Sequence, residues 1–192
     1  MRRRMEELFE EVLRTQRDFQ MRAMEAVAST ASALVEALRS GHKVLLFGNG
    51  GSAADAQHIA AEFVNRFQKD RPPIPALALT TDSSVITSIS NDSAFEEIFA
   101  RQIRALGSRG DVAWGITTSG SSPNVILGLR TAKDLGLTTI GMTGGAGGEV
   151  PKWADHWIHV DSFSTPRVQE VHITVAHVIC ELVEEVLFGG EG

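Results

Sequence analysis

The 192-residue sequence holds a single cysteine, Cys180. That excludes an internal disulfide and fits a reducing compartment. Cys180 itself sits in an apolar helical run and reads as a small core residue. Basic residues are few, 18 against 24 acidic ones for a net charge of −6, and no Lys/Arg tract follows Arg2–Arg4. This argues against a nucleic-acid partner, and an anionic ligand would have to be held by backbone dipoles and hydroxyls. No window approaches 18 apolar residues, so no membrane span is expected. Met1–Arg4 opens like a secretory leader, but Glu6, Glu7, Glu10 and Glu11 stand where its apolar stretch belongs. A cytoplasmic protein is therefore expected. Glycine and proline are absent from residues 4–39, where Leu8, Val12 and Phe19, then Met24, Val27, Ala31, Leu34, Val35 and Leu38 recur at helical spacing. This is one long helix or two, ended by Ser40-Gly41. Its first part projects beyond a compact domain, and another subunit is the easiest partner for its apolar face.

The content, 43% hydrophobic, suits one globular unit: a helical segment over residues 1–40, part of the same domain, and a body over 41–192. From residue 43 onward short apolar runs alternate with helical stretches. The runs Lys43–Phe47, Ala76–Leu79, Asp111–Ile116, Thr138–Met142 and His156–Val160 predict strands. Helices are expected after Gly51, over 83–90 and 94–106 with a break at Asn91-Asp92, over 123–135, briefly near 149–153, and over 167–188. Such alternation predicts an α/β fold of three layers, a five-stranded parallel sheet flanked by helices.

The chain is organised around Gly48-Asn49-Gly50-Gly51-Ser52 and the helix that follows. Strand, glycine-rich turn and helix start together make an anion cradle, because glycine lets the backbone approach and the first helical N–H groups are unpaired. Ser52 is placed to cap that helix or to offer its hydroxyl to a phosphate. One to three turns on, His58 and Glu62 stand four residues apart, about 40° around the axis and away from the Ala56/Ile59/Ala60/Phe63/Phe67 stripe. Alone they read as a solvated pair; below an anion cradle they become a candidate site. Ligands of parallel sheets bind beyond the carboxyl ends of the strands. Thr80–Ser84 and Thr117-Thr118-Ser119-Gly120-Ser121-Ser122 occupy such positions too. The latter precedes Pro123, favoured at a helix start, and forms a second cradle furnished with hydroxyls.

Gly-Asn-Gly-Gly-Ser after the first strand and Thr-Ser-Gly-x-Ser after a later one resemble the sugar isomerase (SIS) domain. With Gln57-His58-Ile59-Ala60-Ala61-Glu62, Ser90-Asn91-Asp92, Arg167-Val168-Gln169-Glu170-Val171-His172 and His177, the pattern is similar to the bacterial phosphoheptose isomerases over the whole chain. The resemblance implies interconversion of sedoheptulose 7-phosphate and D-glycero-D-manno-heptose 7-phosphate through an enediol, in heptose biosynthesis, by a homotetramer. It implies one Zn²⁺ per subunit on His58, Glu62, Gln169 and His177, with Glu62 and His177 as the catalytic acid/base pair. It implies substrate contacts at Asn49, Gly50, Gly51, Glu62, Asn91, Asp92, Thr117, Thr118, Ser119, Ser122 and Gln169, to which the cradle adds Ser52. Thr117 stands where some members carry Ser, and Pro166 where some carry Asp. A non-catalytic relative, the DnaA initiator-associating protein, looks similar but lacks the counterparts of Glu62 and His177; an isomerase for another phosphosugar is the other alternative.

Aldose–ketose isomerisation needs a base that removes and returns a proton and a group that polarises the carbonyl. Carboxylate, imidazole and a Lewis-acid metal supply these, and imidazole, carboxylate and amide oxygen suit Zn²⁺. One tension stands. Gln169 and His177 are eight residues apart, roughly 12 Å along a helix, so they share a metal only by leaning together or if Gln169 precedes the regular helix. Helix geometry does not choose between His172 and His177 as the ligand; the resemblance chooses His177.

Overall fold

Five apolar runs become five parallel strands of one sheet: β1 (Val44–Gly48), β2 (Ala76–Ala78), β3 (Val112–Thr117), β4 (Thr138–Thr143) and β5 (His156–His159), in the order β2-β1-β3-β4-β5. The computed structural model describes residues 1–189, so the last three residues of the 41–192 span lie outside them. Register is continuous across the centre, Val44 to Gly48 of β1 facing Val112 to Ile116 of β3. The helices are α1 (Arg2–Arg39), α2 (Gly51–Val64), α3 (Ser83–Asp92), α4 (Ile98–Leu106), α5 (Pro123–Asp134) and α6 (Thr165–Phe188).

The period-two alternation of strand side chains divides the core between the two faces of the sheet. Val44, Leu46, Val112, Trp114, Ile116, Ile140, Met142 and Ile158 pack with residues of α1, α2 and α6. Leu45, Phe47 and Ala113 point the other way, onto Ile98, Phe99, Ile103, Val125 and Leu129 of α4 and α5. Both faces are covered, which is why the strands read as unbroken apolar runs.

The N-terminal segment is one helix. Its second half is core, with Leu34 fully buried and Phe19, Val27 and Ala31 nearly so. Its first half leaves Leu8, Phe9 and Leu13 exposed. Two local expectations need correction, and one of two alternatives falls. α3 runs through Asn91 and Asp92 and ends at Ser93, because Asp82 caps its start through the Val85 N–H at 2.9 Å and nothing at 91–92 interrupts its backbone bonds. The segment near 149–153 is a single 3₁₀ turn, Val150–Lys152, too short for an α-helix. Gln169 lies inside regular helix, since α6 starts at Thr165 with Pro166 in its first turn, a position proline tolerates because the N–H it lacks is unpaired there anyway. Among the described residues no helix is long and apolar enough to cross a membrane.

Strand order places the site. The chain steps from β1 outward to β2, then returns past β1 to begin β3 on its other side. The crevice between the carboxyl ends of β1 and β3 is thus the switch point where such sheets bind ligands. Its two walls are the Gly48–Gly51 turn and the Thr117–Ser122 loop.

Candidate active site

At the first wall Gly50 is the N-cap of α2 and takes φ +55°, a left-handed conformation that side chains resist. A Cβ on Gly51 would run into the carboxamide of Gln169. Two adjacent glycines are therefore required here, one for conformation and one for space, at the start of a helix whose first N–H groups have no intrahelical acceptor. Ser52 does not cap the helix: no side chain caps α2. Ser52 is 3% exposed and packs against Gly48, where a Cβ would lie 2.9 Å from its own.

The second wall is a hydroxyl cluster. Thr117 Oγ1 lies 2.9 Å from Ser122 Oγ and 3.4 Å from Ser119 Oγ, which also accepts from the Ser121 hydroxyl at 3.0 Å. Pro123 opens α5 with Ser122 as its N-cap. The walls are tied together by a residue the sequence reading missed. Asn49 and Asn124 exchange two carboxamide hydrogen bonds, each 2.8 Å, across the crevice. Asn124 is buried, and its Oδ1 also accepts from the Val125 N–H. The only signal available was an amide just after Pro123, since its partner lies 75 residues away.

Further along α2, His58 Nε2 and Glu62 Oε1 are 3.0 Å apart. The His177 ring stands edge-on to His58, centroids 4.9 Å apart at 77°, and the Phe67 ring is tilted against it with centroids 5.5 Å apart. Ligand atoms of His58, Glu62 and His177 all lie within 4.8 Å of one another. Two imidazoles and a carboxylate this close form a donor set that fits zinc. His172 is not part of this cluster. It is 1% exposed, with Nε2 3.3 Å from the Thr143 carbonyl oxygen. Burial, reinforced by nearby His159 and partly offset by the Thr143 bond, pushes its pKa down to about 4, so it is a neutral core histidine. Cys180, one turn beyond His177, has its thiol pushed up to about 12 by burial and by the Glu62 and Glu184 carboxylates, and so stays protonated.

The eight-residue gap between Gln169 and His177 finds its counterpart in α2. α2 and α6 run parallel, Gly51 beside Gln169 and His58 beside His177. Gln169 thus sits at the anion cradle with its carboxamide over Gly51, roughly 12 Å along α6 from His177 by helix rise. Asn91 and Asp92 are exposed at the end of α3, Asn91 donating to Asp92 at 2.8 Å. Thr118 is half-buried, and its carbonyl accepts from the Gly144 N–H. Sequence reading also passed over Asp55. It shares the α2 face of His58 and Glu62, and its buried Oδ2 has no partner. Burial, against the pull of His58, raises its carboxyl to about 6.

The SIS domain family matches residues 7–144 of this chain. The phosphoheptose isomerase of Aquifex aeolicus is 59% identical over 161 residues, 84% of each chain. That of Nitratidesulfovibrio vulgaris is 53% identical over 173 residues, 90% of this chain and 83% of the relative. The chain belongs to the phosphoheptose isomerases of the SIS family. Its fold agrees: the solved phosphoheptose isomerase of Neisseria gonorrhoeae superposes with a TM-score of 0.91 at 37% identity, covering 96% of this chain and 98% of that one.

Proposed function

We propose that this chain interconverts sedoheptulose 7-phosphate and D-glycero-D-manno-heptose 7-phosphate, an early step of heptose biosynthesis, in the cytoplasm. The observation that carries the reading is the convergence of His58, Glu62 and His177 on the same helix pair whose starting end bears the glycine cradle.

The phosphate is held by the N–H groups after Gly50 and by the Thr117, Ser119 and Ser122 hydroxyls. No basic tract is needed, because a helix N-terminus and hydroxyls suffice for an anion. Asn49, Thr118 and Gln169 line the phosphate end, Ser52 being buried beneath the turn, and Asn91 and Asp92 contact the sugar's hydroxyls. His58, Glu62 and His177 would hold one zinc ion per subunit, which when bound supplies Lewis-acid polarisation of the sugar carbonyl; Gln169, beside Gly51 at the cradle, stands apart from this set. Glu62 removes a proton from the carbon beside the carbonyl and returns it to the neighbouring carbon. His177, on the opposing helix, moves the matching proton between the two oxygens. Such acid–base help contributes about 10²–10⁴ in rate.

A homotetramer is the functional unit on this reading. Its support is the apolar surface left by one chain: Leu8, Phe9, Leu13 and Met24 of α1 with Val178 and Val186 of α6 are exposed. The single buried thiol supports the cytoplasmic setting. The test is His58→Ala, which should lose zinc by elemental analysis and turnover together. Full zinc content in that variant would move the ligand set elsewhere.

A further inference from the structure

The side chains of Arg71 and Glu184 are each 2% exposed and form a buried ion pair, Nε to Oε1, at 2.9 Å. Neither belongs to the candidate site, yet their remaining bonds run to its supports. Arg71 Nη2 donates to the carbonyl of Glu62 at 2.8 Å, and Nη1 to that of Phe63 at 2.8 Å. These carbonyls belong to the last turn of α2, which has no intrahelical partners for them. Glu184 accepts from three consecutive backbone N–H groups, Phe67 at 3.1 Å and Gln68 and Lys69 at 2.8 Å each. That holds the turn from which the Phe67 ring presses on His177. Glu184 itself lies two turns beyond His177 on α6.

One pair of side chains thus grips the carbonyl of Glu62, the backbone turn that carries Phe67, and α6 itself. From this geometry we infer that Arg71 and Glu184 are positioning residues for the His58–Glu62–His177 centre, setting the α2–α6 spacing at which the three ligand groups meet. The inference rests on reading that cluster as the metal and catalytic centre. The guanidinium is suited to the task because its rigid fork delivers several bonds in fixed directions, and a lysine in its place keeps the charge but loses the fork.

The experiment compares parent, Arg71→Lys and His58→Ala as full-length, metal-stripped proteins. Thermal unfolding establishes folding, zinc affinity is read by competition with a chromophoric chelator, and kcat and KM are measured after reloading. Arg71→Lys should fold, lose about 10–100-fold in zinc affinity and in kcat, as outer-shell substitutions do, and keep KM within about twofold, since the phosphate walls lie at the other end of α2. A merely structural role lowers the melting temperature while leaving the zinc affinity of the folded protein untouched. A folded Arg71→Lys with parental zinc affinity and kcat, alongside a defective His58→Ala, overturns the positioning role alone. Parental affinity in both variants overturns the reading of the cluster and the inference with it. Glu184→Gln, which keeps an acceptor for the three amides while removing the charge, carries the same readouts should Arg71→Lys not fold.

Discussion

Acid should loosen this protein through His172. The ring is 1% exposed, and its Nε2 pairs with the Thr143 carbonyl. That partner assigns the hydrogen to Nε2 and leaves Nδ1 buried without a donor or acceptor. A second proton on Nδ1 would place a charge in the core with nothing to receive it. Burial, with His159 adding and Thr143 offsetting, accordingly moves the pKa from 6.5 to about 4. The sign follows from linkage. The unfolded chain takes up the proton near 6.5, whereas the fold refuses it until about 4, so the stabilisation is complete above 6.5 and drains away between the two values. At 1.36 kcal/mol per pH unit the loss is about 3 kcal/mol, a large part of the roughly 5–15 kcal/mol that holds a domain together. Asp55 works in the opposite direction: its carboxyl is raised to about 6, so its neutral form favours the fold as the pH falls, and only a comparison with a variant isolates His172.

The comparison is His172→Phe. The Thr143 carbonyl it abandons keeps the Val160 N–H at 2.8 Å, so at neutral pH the variant loses about one hydrogen bond, roughly 1 kcal/mol. Urea titrations at about pH 7 and about pH 4.5, at one protein concentration and with a chelator present, should show the parent losing about 2.4 kcal/mol more than the variant. Equal losses in the two proteins would refute the reasoning.

Two further outcomes are expected. Replacing both Ser119 and Ser122 by alanine should raise KM for the sugar phosphate strongly, since each hydrogen bond to a charged group is worth about 1.5–3 kcal/mol; parental binding would mean that the hydroxyl wall does not hold the phosphate. Light scattering at micromolar concentration should return a mass four times that of the 20.7 kDa chain, and a monomer would remove the role given to the exposed face of α1.

The strands were legible because a sheet covered on both faces needs short unbroken apolar runs such as Val44–Phe47 and Val112–Ile116. The glycine cradle was legible because backbone geometry and close approach demand glycine at Gly50 and Gly51 whatever lies elsewhere. What escaped notice depends on distant partners. Asn124 looks like any polar residue at a helix start until Asn49 stands opposite, and Arg71 reads as part of a stiff Arg-Pro-Pro connection until Glu184 meets it 113 residues later. For Ser52 the sequence left two roles open, a cap or a hydroxyl for the phosphate; Gly50 takes the N-cap position, no side chain caps α2, and Ser52 is buried. The spacing of Gln169 and His177 looked like a conflict only while α6 was considered alone. Beside a parallel α2, the same spacing carries one residue to the cradle and the other to His58.

The central claim is that Glu62 moves the proton between the first two sugar carbons. Glu62→Gln keeps the side chain's shape and an acceptor oxygen but removes the base. Incubation with sedoheptulose 7-phosphate in deuterated water reports proton removal even when no product leaves. The parent should wash deuterium into the sugar next to its carbonyl, and Glu62→Gln should slow that exchange by about 10²–10⁴ while still binding the phosphate. Exchange at the parental rate in Glu62→Gln would contradict the account and transfer the role of base to His177.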